Sequence, residues 1–112
     1  MGVSEDKWKW HGTAAHFIGS ASCLHHVCTR VGKYVISTVG DYRPNGPNSD
    51  AERIGCDRKF ETFVFKALRG ECACGCGLPN FRASEIDSLA ANDHKTANAN
   101  HMKMCRKWAK KP

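Results

Sequence analysis

Seven cysteines in 112 residues constrain this chain more than any other feature. They are Cys23, Cys28, Cys56, Cys72, Cys74, Cys76 and Cys105, and six histidines accompany them: His11, His16, His25, His26, His94 and His101. An odd number of cysteines cannot pair off completely into disulfides. Met1 to Trp10 is polar and charged, without the apolar stretch of a secretory leader. The expectation is a reducing, cytoplasmic setting, where clustered cysteines serve as metal ligands. The length argues for a single domain, 1–112, with a limited core that a structural metal would reinforce. Hydrophobic residues at 41% and charged residues at 25% exclude a disordered chain. No apolar run approaches the roughly 18 residues of a membrane span, so no membrane role is expected.

The sharpest chemical signal is Cys72-Ala73-Cys74-Gly75-Cys76-Gly77. Zinc needs four ligands converging in a tetrahedron, and cysteines two apart with a glycine between them can curl toward one point. The last helix, expected from about His94 to Lys110 and capped by Asn92 or Asp93, offers the remaining ligands. His101 and Cys105 lie four apart, one turn along the same face. His94, His101, Cys105 and Trp108 share a stripe, while Lys103, Arg106, Lys107 and Lys110 fall opposite. The expected site is a structural Zn2+ held by Cys74, Cys76, His101 and Cys105, with Cys72 as the alternative ligand. The segment 72–112 thus reads as a zinc turn followed by helices, of which a first short one starts at Ser84 or Asp87. The bland alternative is a thiol-rich turn, with His101 and Cys105 as ordinary helix residues.

A second cluster, Cys23-Leu24-His25-His26-Val27-Cys28, holds four metal-ligating side chains in six residues. Serine capping at Ser20 or Ser22 and the following Gly32 predict a short helix over Cys23 to Arg30. That helix would put Cys23 and His26 on one face and His25 and Cys28 on another. Three readings stay open. The first is a second metal site built from this cluster. In the others, Cys23 and Cys28 are small core residues with hydrogen-bonded histidines beside them, or His11, His16, His25 and His26 line a pocket for a nucleotide or phosphoester.

The remaining segments are expected to form a sheet. Lys33 to Val39 is rich in β-branched residues, with Tyr34, Ile36 and Thr38 on one side and Val35, Ser37 and Val39 on the other. Lys59 to Leu68 is apolar on both faces, as in a central strand. Trp8 and Trp10, alternating with lysines, suit an edge strand. Between the strands, 41–57 carries the proline, glycine and asparagine of a long loop. The fold expected is α+β: a small antiparallel sheet, a short N-terminal helix, and a C-terminal helix pinned by zinc.

Net charge is +6, and five of the basic residues lie in 101–112, where there is no acid; the rest of the chain is nearly neutral. Such a segment attracts nucleic acid or an acidic protein surface, or serves only as a solvated face. Nucleotide-binding glycine motifs, a zinc-protease HExxH and a serine nucleophile elbow are all missing from the sequence, which favours a binding protein over an enzyme.

Several motifs carry a resemblance. Trp10-His11-Gly12, Ala15-His16-Phe17-Ile18-Gly19, Cys23-x-x-His26, Val35 through Tyr42, Glu61-Thr62-x-Val64-Phe65 and Asn92-Asp93…His101-Met102…Cys105-Arg106-Lys107-Trp108 resemble a family of small cysteine/histidine-containing proteins encoded by tailed bacteriophages. The resemblance implies a viral accessory protein acting in the host cytoplasm, and no established activity. The turn Cys72 to Gly77 is also similar to a zinc turn found beside phage HNH nuclease modules, but the His-Asn-His core has no counterpart, so no nuclease activity follows. The function expected is a zinc-stabilised binding module whose partner is nucleic acid or a host protein complex, including host-virus counter-defence. Its binding residues are Lys103, Arg106, Lys107 and Lys110. The alternatives are the histidine-pocket phosphoester protein and a virion component.

Overall fold

A computed structural model describes residues 4–11, 23–54, 58–71, 79–81 and 84–111. A short 3-10 turn, Glu5–Lys7, leads into β1 (Lys9–His11), β2 (Cys23–Val31), β3 (Tyr34–Tyr42), β4 (Phe60–Glu71), β5 (Pro79–Phe81), β6 (Asp87–Ala91) and the helix α1 (His94–Ala109). All strand pairings are antiparallel, and β1 to β4 lie in chain order. On the far side of the long β4, β6 pairs with Phe60 to Val64 and β5 with Ala67 and Glu71. No helix among the described residues is long and apolar enough to cross a membrane.

The α+β expectation holds at the level of an antiparallel sheet with a C-terminal helix, and the edge strand and β4 fall where the sequence placed them; β3 does too but runs on to Tyr42, taking in Asp41 and Tyr42 from the stretch expected as loop. The stretch Cys23 to Arg30 is corrected from a helix to β2. It pairs with β3 from Cys23↔Tyr42 to Val31↔Tyr34, and Gly32 turns the hairpin rather than ending a helix. Gly32 takes φ +60 at the first position of a two-residue turn, which matches the twist of antiparallel strands. Both faces of β2 are used: Thr29 and Val31 are buried on one side and Cys28 on the other. Two-sided burial removes the alternation that identifies a strand. The short helix expected at Ser84 or Asp87 is corrected likewise, because Asp87–Ala91 pairs with β4 as β6.

Helix α1 covers one face of the sheet. Val31, Ile36 and Val64 pack there against Met104, Cys105 and Ala109, with Trp8 closing one side and Tyr34, Leu89, Met102 and Trp108 around the margin. The helix begins at Asp93, whose carboxylate accepts from the Thr96 backbone N–H at 2.7 Å. That bond satisfies one of the amides left free in a first turn. Cys28, Val35 and Val39 form the core of the opposite face, with Ile54 from the long loop packed against them. The loop is tied to itself: Glu52 N–H donates to the Tyr42 carbonyl at 2.7 Å, and the Arg43 guanidinium donates to the Ser49 carbonyl.

Gly40 is where the third core cluster (Phe60, Ala91 and Ala97) meets the middle of the sheet. A β-carbon at position 40 would sit 2.3 Å from the Phe60 ring and 2.6 Å from the Lys59 carbonyl oxygen. Gly40→Ala is therefore expected to cost about 1–3 kcal/mol through overpacking, read as a lower urea midpoint with an unchanged denaturant slope.

Candidate functional site

Three groups of polar and charged side chains take shape on the helix-covered face and around it. The first is a buried polar bridge. His101, 2% exposed, projects from α1 into the middle of the sheet. Its Nε2 lies 2.8 Å from the Thr29 hydroxyl on β2, and its Nδ1 lies 2.7 Å from the Thr38 hydroxyl on β3. Thr38 continues to the Thr62 hydroxyl on β4 at 2.7 Å. The three threonines are on one face because Thr29↔Ile36, Thr38↔Thr62 and Ile36↔Val64 are register pairs. Burial, with a smaller contribution from His25, lowers the His101 pKa from 6.5 to about 4, so the ring is neutral. A neutral imidazole donates from one nitrogen and accepts at the other, and the rotating hydroxyls satisfy both.

Cys105 lies one turn further along the same face and is fully buried. Burial pushes its thiol up to about 12, against a smaller opposing effect of the hydrogen bond with Thr29, so it is held as the thiol. Of the expected zinc set, Cys72, Cys74 and Cys76 lie outside the described residues. His101 and Cys105 do share the inner face of α1, as the spacing required. In this arrangement both nitrogens of His101 are engaged by hydroxyls, and coordination would require breaking one of those bonds. Among the described residues no group of three or more histidine, cysteine or acidic side chains is arranged to hold a metal ion.

The second group is built around His25 and was not assembled by sequence reasoning. His25 Nδ1 on β2 lies 3.2 Å from His94 Nδ1, at the first position of α1. His94 Nε2 is 3.7 Å from an Asp41 carboxylate oxygen, and Arg43 donates to the other Asp41 oxygen at 2.8 Å. Phe60 meets both imidazoles edge-on, with ring centroids 5.5 Å from His25 and 4.8 Å from His94. Burial, then the proximity of His94, lowers the His25 pKa. Period-two alternation along β2 would have placed His25, Val27, Thr29 and Val31 on one face, but the contact with His94 bridges 69 positions and has no local signature.

This geometry divides the proposed histidine pocket. His25 faces α1, while its neighbour His26 pairs with Val39 on the opposite side of the sheet. His11 is at the register position opposite Cys28, and His16 lies outside the described residues. His25 and His26 therefore do not line one cavity. On the His26 side, the His26 Nδ1 and the Ser37 hydroxyl are buried without hydrogen-bond partners among the described residues.

The third group is the outer face of α1. Lys103, Arg106, Lys107, Lys110 and Lys111 line one open depression. Lys107 is tied at one end to Asp87 at 2.7 Å, and Asp87 also accepts from Trp108 Nε1 at 3.0 Å. Partial burial alone would raise the Asp87 pKa, but the hydrogen bonds from Lys107 and Trp108 hold it below the ordinary carboxylate value. Lys111 reaches over the Trp108 ring from 5.5 Å. Comparison with protein-family models, curated proteins and solved structures finds no match to this chain.

The depressed pKa of His101 predicts an acid-sensitive fold. Between about 4 and 6.5 the unfolded chain takes up a proton that the folded ring refuses. The contribution is complete above pH 6.5 and is lost as pH falls toward 4. Denaturant unfolding across this window should show a loss of roughly 3 kcal/mol from this group, with a shallower pH dependence in His101→Gln. Thr38→Val should cost about 1–3 kcal/mol at pH 7, because it leaves His101 Nδ1 buried without a partner.

Proposed function

We propose that this chain is a binding module for polyanions, and specifically for the phosphate backbone of nucleic acid, through the outer face of α1. One observation carries the reading: five cationic side chains converge on a single open depression, three from a 16-residue helix that contains no acid and two, Lys110 and Lys111, from the residues that follow it. The inner face of the same helix is locked to the sheet by His101, Met104, Cys105 and Ala109. A rigidly mounted helix presents its charges without first ordering them, which lowers the cost of association.

The spacing favours a repeating polyanion. Positions 103, 106/107 and 110/111 form rungs about 5 Å apart along the axis, and a nucleic-acid strand carries phosphates at regular short intervals. Such contacts fix position on the backbone without reading bases, so the binding is expected to be largely independent of sequence. Lys107 contributes less than its neighbours, since Asp87 already neutralises it in part. A bacteriophage accessory role, with a host nucleic-acid-handling system as the setting, belongs to the same reading. A zinc ion at the Cys74 and Cys76 turn would serve to stabilise the module.

The test is fluorescence anisotropy with labelled DNA duplexes and single strands of unrelated sequences. Log affinity should fall with log salt with a slope of about −3.5 for duplex if four phosphates are neutralised. Lys103→Glu/Arg106→Glu/Lys110→Glu, which spares the Lys107–Asp87 pair, should weaken binding ~100-fold or more and flatten the slope. Equal affinity of the variant and the parent overturns the proposal. Binding of an acidic protein with no measurable affinity for DNA or RNA overturns it as well.

A further inference from the structure

We propose that His25 and His94 form a binding site for a divalent transition-metal cation, zinc above all, at the junction of β2 and the first turn of α1. The two Nδ1 atoms are 3.2 Å apart although their residues are 69 positions apart in the chain. Two imidazole nitrogens bound to one tetrahedral zinc at 2.0–2.1 Å stand about 3.3–3.4 Å from each other. With one ring protonated at Nδ1 the pair is a hydrogen bond. With neither protonated there, the two lone pairs repel at this distance, and a cation held by both nitrogens would relieve that repulsion.

The surroundings support a metal rather than a bare histidine pair. A metal-ligating histidine commonly donates its other ring N–H to a carboxylate, which fixes the ring and strengthens the ligand. Asp41 stands on that side of His94, its carboxylate oxygen 3.7 Å from Nε2 and so just outside hydrogen-bond distance, and Arg43 holds its second oxygen at 2.8 Å. Asp41 adopts φ +54, a left-handed conformation uncommon outside glycine, and it does so at the residue that carries this carboxylate. Phe60 packs against both rings and restricts their orientation. Gly40 is required for that ring to lie there, since a β-carbon at position 40 would overlap it.

The ligating atoms follow from what is accessible. His25 Nε2 is sealed off without a partner among the described residues, which leaves Nδ1 as the atom that can reach a cation. The His94 side chain is 57% exposed, so the site opens to solvent and an ion can enter without unfolding. The protein's contribution among the described residues is the pair of imidazoles. Water would complete the shell. The site draws on none of Cys72, Cys74 and Cys76, and it does not depend on the nucleic-acid reading.

The experiment is a titration of Zn2+ into the full-length chain, labelled with 15N at histidine and followed through the imidazole nitrogens. Reading the rings directly separates this site from zinc taken up by Cys72, Cys74 or Cys76. The His25 and His94 Nδ1 resonances should move together and saturate together. In His94→Gln, a change at an exposed position, the His25 response should vanish while the circular dichroism spectrum stays native. Substituting Co2+ should give d–d absorption bands that lose intensity in the same variant. Unmoved His25 and His94 rings at saturating Zn2+ overturn the proposal, as does a His25 response that persists unchanged in His94→Gln.

Discussion

The interaction on which the rest of the structure depends is the imidazole of His101 suspended between Thr29 and Thr38. Apolar contact holds α1 on the sheet, but such contact is non-directional and tolerates small rotations and slides of a helix. A hydrogen bond to each nitrogen of a buried ring tolerates neither. The Thr29, Thr38 and Thr62 hydroxyls come from three adjacent strands, so the bridge ties the helix to β2, β3 and β4 together. Leaving any member unpaired in that interior is costly, and this cost makes the arrangement specific.

Once the rotation of α1 is set, its two ends acquire separate tasks. The first turn brings His94 to His25 and Asp41, and the last turns carry Lys103, Arg106, Lys107, Lys110 and Lys111 on the side away from the sheet. Around the helix, the cationic side chains lie opposite His101 and Met104, and a turn of about 100° would carry one of them into the core. Burying an unpaired ammonium there costs several kcal/mol. The cationic face is therefore a consequence of the core, and the same bridge that holds the helix holds the charges in place.

Much of the fold was legible locally. The β-branched run of β3, the two-sided apolar pattern of β4 and the capped, amphipathic α1 each announce themselves within a few residues. β2 and β6 did not. In β2, Cys28, Thr29 and Val31 are buried on both faces, and serines upstream with Gly32 downstream imitate helix caps. In β6, the acidic start at Asp87 resembles a helix N-terminus, whereas its carboxylate is used by Lys107 and Trp108. The spacing of His101 and Cys105 placed both correctly on the inner face of the helix, but it could not say what that face meets.

By itself, then, the sequence determined the segments whose period is local, the inward stripe of α1 and the outward row of cations, since each follows from residues within one or two turns. Only the tertiary structure decided the partners. Thr29 reaches His101 across 72 positions, and His25 reaches His94 across 69. Contacts of that separation depend on which strands pair and in what register. A register shift of one residue would turn Thr29, Thr38 and His25 to the other side of the sheet, and no local pattern in this chain specifies it.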